Sequence, residues 1–102
     1  MMDKTEIIAR RIMGWKLNRW DRWYDPENKV FIPVADFQPS NNLDNAMSII
    51  KRLEQAGYTY EATKKNEVSF NGFRATGDTL AEAITEAAFA IADNSSVDDG
   101  WF

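Results

Sequence analysis

Three helical patterns, separated by two segments of strand-forming residues, set the strongest limit on the fold of this 102-residue chain. In each pattern apolar residues recur every three or four positions, which places them on one side of a helix. Each pattern also begins with a residue that can cap a helix, followed three positions later by an acidic residue. These pairs are Asp3 with Glu6, Asn41 with Asp44, and Thr79 with Glu82. We therefore expect three amphipathic helices, the first ending near Gly14 and the second at Gly57.

The two segments between the helices have the composition of β-hairpins. Residues 19–34 contain aromatic and β-branched runs on either side of a Pro-containing turn, and residues 58–76 contain similar runs. Asn71-Gly72 is either a bulge within a strand or a tight turn of its own. The predicted order is α-ββ-α-ββ-α, which indicates an α+β, single-domain layered sandwich with a four-stranded, mainly antiparallel sheet and three helices. We place the domain at residues 1–93 and an acidic-aromatic C-terminal tail at residues 94–102.

The second helix and the loop before it supply much of the predicted core. The apolar side of this helix is expected to consist of Leu43, Ala46, Met47, Ile50 and Leu53. Phe37 is the expected anchor of the preceding loop.

The absence of Cys and His excludes many kinds of chemistry. Zinc sites built on these residues are excluded, as are Cys-His and Ser-His-Asp catalysis. No phosphate-binding glycine loop and no calcium-loop spacing is present. We therefore expect no catalytic residue, no metal and no cofactor, and predict that the protein is not an enzyme. The first residues lack the apolar core of a signal peptide, and no run is long enough to span a membrane, so a cytoplasmic location is expected.

The order and spacing of several short motifs resemble the phage ABA sandwich domain family. The motifs are Met13-Gly14-Trp15-Lys16, Trp23-Tyr24, Phe37-Gln38-Pro39-Ser40, Gly57-Tyr58, Ala75-Thr76-Gly77-Asp78-Thr79, Glu82-Ala83-Ile84 and Ala87-Ala88. The chain departs from the family pattern at Thr85, Glu86 and Phe89 and in its tail. The resemblance implies an α/β/α layered fold and a phage or prophage origin, with a location in the host cytoplasm. It implies no shared activity, so no catalytic residue can be carried over.

The outer side of the third helix is the first candidate binding surface. Every charged residue after Arg74 is acidic, and helical spacing places Phe89 among acids on the side opposite the apolar stripe. The predicted partner-binding residues are Glu82, Glu86, Phe89, Asp93, Asp98, Asp99, Trp101 and Phe102. Alternatively, the acids form a solvated face and Phe89 is covered by Val97, Trp101 or Phe102.

The first hairpin is the second candidate surface. It combines aromatic and basic residues, which suits stacking on bases and neutralising phosphates. The predicted patch consists of Arg19, Trp20, Arg22, Trp23 and Lys29. In the alternative interpretation the Trp residues pack into the core and the Arg residues keep the hairpin soluble.

These surfaces lead to three functional hypotheses. The preferred one is a phage-type accessory protein that binds a host or phage protein with a basic surface. Its most specific form is an anti-CRISPR-like inhibitor of a host defence nuclease or another nucleic-acid-handling complex. The second is a nucleic-acid-binding module, although a net charge of −4 makes nucleic acid the less favoured partner. The third is a self-associating structural protein, and we expect a monomer or weak homodimer that does not bind membranes.

Overall fold

The computed structural model describes residues 3–94, apart from the side chain of Asn94. Within them lie three helices: α1 (Lys4–Arg11), α2 (Leu43–Gln55) and α3 (Leu80–Asn94). The strands are β1 (Lys16–Leu17), β2 (Arg22–Asp25), β3 (Val30–Pro33), β4 (Tyr60–Lys64), β5 (Glu67–Phe70) and β6 (Phe73–Thr76). A short 3₁₀ helix, Val34–Asp36, follows β3. The α+β class and the three helices are confirmed.

The capping motifs of α1 and α3 act as the sequence predicts. The Asp3 carboxylate accepts a hydrogen bond from the backbone N–H of Glu6 at 2.8 Å. The Thr79 hydroxyl accepts from the backbone N–H of Glu82 at 3.1 Å. These bonds satisfy N–H groups that have no partner inside the helix and so define where each helix begins.

Two details of α2 differ from the prediction. The capping residue is Asn42 and not Asn41, since the Asn42 side chain accepts from the Asn45 backbone N–H at 3.1 Å. The buried side consists of Ala46, Ile49, Ile50 and Leu53. Leu43 and Met47 were expected in the core but are exposed, because the side that meets α3 is rotated toward Ile49.

The prediction of one four-stranded sheet is wrong: the strands form two antiparallel three-stranded sheets, β1-β2-β3 and β4-β5-β6. Each predicted hairpin gains a third strand. In the first sheet, Lys16 and Leu17 pair with Tyr24 and Trp23. In the second, Asn71-Gly72 is a turn with positive φ at both residues, the geometry of a tight hairpin, and it splits the last predicted strand into β5 and β6.

Helix α3 organises the core, since it packs against β5 and β6 and also against α1 and α2. The second sheet turns Val68 and Phe70 toward this core, and both are fully buried. Phe37 is buried as predicted and meets Trp15 edge-to-face, with ring centroids 4.8 Å apart. One side of the second sheet is therefore covered by α3.

Candidate functional site

The acidic side of α3 is tied to α1 through Lys4. The Lys4 Nζ lies 2.8 Å from both carboxylate oxygens of Glu86. It also lies 5.4 Å from the centroid of the Phe89 ring. Phe89 is half-buried and packs against the core, so its ring is held between the core and a lysine. Glu86 and Phe89 therefore help to hold α1 against α3 through their contacts with Lys4.

The remaining predicted residues of the acidic surface are divided. A Glu82 oxygen accepts from the backbone N–H of Asp78 at 2.9 Å and helps to cap α3, whereas Asp93 is exposed. The last four predicted residues, Asp98, Asp99, Trp101 and Phe102, lie outside the described residues. Of the acids on the described part of α3, Asp93 is the most accessible to a partner.

The first sheet turns Trp23 inward and so removes it from the predicted nucleic-acid patch. Trp23 is only 2% exposed, and its register partners are Leu17 and Ile32. The Arg10 guanidinium of α1 lies 5.5 Å from the indole centroid. Among residues 3–94 the buried indole N–H has no hydrogen-bond acceptor. A ring buried under α1 cannot stack on a base, so including Trp23 in that patch was wrong.

The opposite side of the same sheet carries exposed aromatic and basic side chains. Paired positions share a side of an antiparallel sheet, so Lys16, Tyr24 and Phe31 form one row across its three strands. The rings of Tyr24 and Phe31 lie 5.0 Å apart, and Phe31 is 56% exposed. We call this surface the aromatic face, and it consists of Lys16, Arg22, Tyr24, Phe31 and Pro33.

Trp20 lies in the loop that joins β1 to β2, two residues before Arg22 of the aromatic face. Its backbone is held because the Asn18 side chain accepts from the N–H groups of Trp20 and Arg22 at 2.9 and 3.0 Å. Its side chain is 70% exposed, with the Arg19 guanidinium 5.3 Å from the indole centroid. A large ring is thus presented to solvent by a fixed loop.

Arg19, Trp20, Arg22 and Lys29 of the predicted patch are all exposed, but the prediction did not include Phe31. Alternation within β2 predicts that Tyr24 points to the side opposite Trp23, which is the exposed side. Phe31 follows through the cross-strand register, which depends on the length of the β2–β3 turn.

A cleft of about 380 Å³ separates the β2–β3 turn from α2. Its apolar part includes Met13, Trp15 and Ile32, and Lys51 and Arg52 line the α2 side. Arg52 contacts Glu27 at 3.1 Å across the cleft and also donates to the backbone carbonyl of Ile12 at 3.2 Å.

The carboxylate of Asp25 lines the same cleft, but its hydrogen bonds are made within the β2–β3 turn. Its Oδ1 accepts from the N–H groups of Glu27 and Asn28, and its Oδ2 accepts from the Asn28 side-chain amide. Asp25 therefore fixes the turn between β2 and β3 and has few lone pairs left for a ligand.

Chemical sites are sparse elsewhere in the described chain. Residues 3–94 contain no cluster of three or more acids that could hold a metal ion. Burial raises the pKa of the Tyr60 phenol above its ordinary 10.0, and this ring packs on Phe70 in the second sheet. None of the helices within residues 3–94 has the length and apolar content needed to cross a membrane.

Comparison with known proteins gives one family. The family model described as the Phage ABA sandwich domain matches residues 6–89, which is most of the chain. The match covers most of α1, both sheets, α2 and most of α3, and it ends at Phe89. No curated protein and no solved structure matches the chain.

Proposed function

The chain belongs to the Phage ABA sandwich domain family, and from that premise we propose that it is a small, non-enzymatic, phage-type accessory protein. We propose that it acts by binding another protein through the aromatic face and the neighbouring loop residue Trp20. The observation that carries the proposal is the exposure of large aromatic side chains beside basic ones. Trp20 and Phe31 are 70% and 56% exposed. Arg22 follows Trp20 by two residues, and Lys16 pairs with Tyr24, which in turn pairs with Phe31. Aromatic residues and Arg are enriched at binding hot spots.

The chemistry of the surface favours a protein over nucleic acid as the partner. The acids Asp21 and Glu27 are interspersed among the basic residues of the first sheet, and the whole chain carries a charge of −4. Exposed aliphatic residues, Val30 and Val34, lie in and directly after β3. Nucleic-acid surfaces instead need clustered Lys and Arg that neutralise phosphates. The fitting partner has an apolar recess bordered by acidic side chains.

The backbone of the first sheet favours recognition through side chains. Val34 N–H donates to the Asp21 carbonyl at 3.1 Å. Because hydrogen-bonded pairs alternate along an antiparallel ladder, Phe31 directs its N–H and C=O away from β2. Its neighbour at the open edge, Pro33, has no N–H to donate. An added strand would find few partners along this edge, so the rings supply the contact.

The test compares capture of host-cell proteins by the full-length tagged chain and by two variants, Phe31→Ser and Trp20→Ala. A matched control is Lys65→Ser, an exposed substitution in the β4–β5 turn of the other sheet. We expect a partner that binds the wild type and the control, and that is lost from both variants although each remains folded and melts at most about 8 °C below wild type. A captured set that does not change with either Phe31→Ser or Trp20→Ala would refute the proposal. A mobility shift with single-stranded oligonucleotides that requires Trp20 would support the nucleic-acid hypothesis instead.

The more specific hypothesis, inhibition of a host defence nuclease through an acidic surface, makes a different demand. It relies on Asp93 and on residues 95–102, since Glu86 is already bound by Lys4. Binding of that kind to a basic groove should weaken strongly as salt rises and should be lost in Asp93→Lys. Binding through the aromatic face should be less sensitive to salt, so a salt titration of the captured complex separates the two.

A further inference from the structure

The outer side of α2 carries a stripe of apolar and charged residues that does not pack into the core. Leu43 and Met47, one helical turn apart, are 47% and 49% exposed, and Asp44 and Lys51 beside them are exposed as well. We call these four residues the α2 stripe. We propose that the α2 stripe binds the same stripe of a second copy of this chain, with the two helices antiparallel and Asp44 of each copy paired with Lys51 of the other. This contact does not depend on the aromatic face, which lies on the first sheet.

Helical spacing places the whole α2 stripe on one side of the helix. At roughly 100° per residue, its four members fall within an arc of about 100°. The buried residues of α2, among them Ile49 and Leu53, occupy a separate arc. Helix α2 therefore has two sides with apolar residues, of which one packs into the core and the other faces solvent.

The two charged residues of the α2 stripe have no ion-pair partner within residues 3–94. They cannot pair with each other, because seven helical residues separate them by about 10.5 Å along the axis. Lys51 also borders the cleft, but there Glu27 is bonded to Arg52 and Asp25 is bonded within its own turn. Both Asp44 and Lys51 are therefore available to pair with a second molecule.

The order of residues makes the α2 stripe complementary to itself. In an antiparallel pair with two-fold symmetry, a residue before the midpoint of one helix meets a residue equally far beyond the midpoint of the other. With the two-fold axis between Met47 and Ser48, Asp44 of each copy meets Lys51 of the other, and the two Met47 side chains meet near the axis. Glu54, which is also exposed on this side, then lies near the start of the other copy's α2, where the helix dipole favours an acid.

The same pattern selects the antiparallel arrangement and limits its strength. Two parallel helices would place Asp44 against Asp44 and Lys51 against Lys51, so like charges would repel at both ends. Each copy contributes one side of one helix, which is less than the roughly 800 Å² that each partner buries in a stable interface. We therefore expect a weak, reversible dimer that is weakened further as salt screens the two ion pairs.

Two single charge reversals give a direct test of this contact. Sedimentation velocity of the full chain should show a dimer that accumulates as the concentration rises to about 1 mM, a range that detects dissociation constants near that value. Asp44→Lys and Lys51→Glu should each lose the dimer, because each variant places like charges together in both pairs. An equimolar mixture of the two variants should recover it, because every pair is then of opposite charge. Both variants keep a net negative charge, so attraction between the whole chains cannot account for the recovery.

The controls separate this contact from others. Lys65→Glu makes the same change of charge in the exposed β4–β5 turn and should dimerise like the wild type. Phe31→Ser should do so too, since it changes only the aromatic face. Circular dichroism shows that each variant remains folded, and Lys51→Glu decides the result if Asp44→Lys weakens the first turn of α2. The proposal would be overturned by a wild type that stays monomeric up to about 1 mM, by a dimer that persists in Lys51→Glu or is lost in Phe31→Ser, or by a mixture of two folded variants that stays monomeric.

Discussion

Three phenylalanines at different depths give a sharp test of which surface is free for binding. Phe70 is buried in the second sheet, Phe89 is half-buried between the core and Lys4, and Phe31 is 56% exposed on the aromatic face. The same substitution, Phe→Ser, at each position removes the same ring from three environments. The loss in unfolding free energy should therefore follow the order Phe70, Phe89, Phe31.

The expected sizes follow from burial. Removing a fully buried Phe costs about 3–5 kcal/mol, as expected for Phe70→Ser. Phe89 buries part of its ring and adds a contact with the Lys4 amine, so Phe89→Ser should cost about 2 kcal/mol. Phe31→Ser loses mainly its cross-strand contact with Tyr24, worth at most about 1 kcal/mol. With roughly 4–8 °C per kcal/mol for a domain of this size, the Phe89 variant should melt about 8–16 °C below wild type.

Thermal unfolding followed by circular dichroism measures all three variants under one condition. Reversibility and a retained far-ultraviolet spectrum before heating show that each variant folds. If Phe89→Ser lowered the melting temperature less than Phe31→Ser, the packing of α1 on α3 through Lys4 would be refuted. Phe89 would then return as a candidate interface residue.

Three further predictions concern stability. Lys4→Ala should lower the melting temperature by a few degrees, since it removes an exposed ion pair with Glu86 worth up to about 1 kcal/mol. In 1 M NaCl the difference in melting temperature between wild type and variant should shrink, and a difference that does not depend on salt would contradict this role of the ion pair. Gly77→Ala should cost about 1–3 kcal/mol in denaturant unfolding, because its Cβ would lie 2.8 Å from the Ala83 backbone nitrogen at the start of α3; a neutral result would contradict that close approach. The raised pKa of Tyr60 contributes stability below pH 10.0 that is lost as pH rises above that value; Tyr60→Phe should make unfolding less dependent on alkaline pH, and an unchanged dependence would contradict it.

The helices were predictable because their signals are local. Caps such as Asp3 and Thr79 bond to residues three positions away, so the sequence carries both partners of each contact. Which side of α2 is buried was harder to predict, since Leu43 and Met47, which are exposed, fit an apolar stripe as well as the buried Ile49 does. Which of two overlapping stripes is buried depends on the neighbouring α3, and that is a tertiary choice.

The sheets and the candidate site depend on longer-range pairing. The two residues of β1 are too few for a periodic signal, and they form a strand only because β2 pairs with them. The same register places Tyr24 beside Phe31 and turns Trp23 inward. The acidic side of α3 depends on a long-range contact as well: helical spacing places Glu86 and Phe89 on one side of the helix, but it cannot show that Lys4, 82 positions before Glu86, contacts them.

The edges of the first sheet bear on why its aromatic residues remain in water. Exposed rings on an open sheet invite association through strand pairing, and proteins limit that risk with short edge strands, proline and lysine. Here one edge strand is only Lys16–Leu17, and the other ends at Pro33. Strand pairing is restricted at both edges, while the rings of Trp20 and Phe31 stay accessible. Because the edges are blocked and the side chains are exposed, the first sheet is suited to recognition of a shaped surface more than to stacking with other strands.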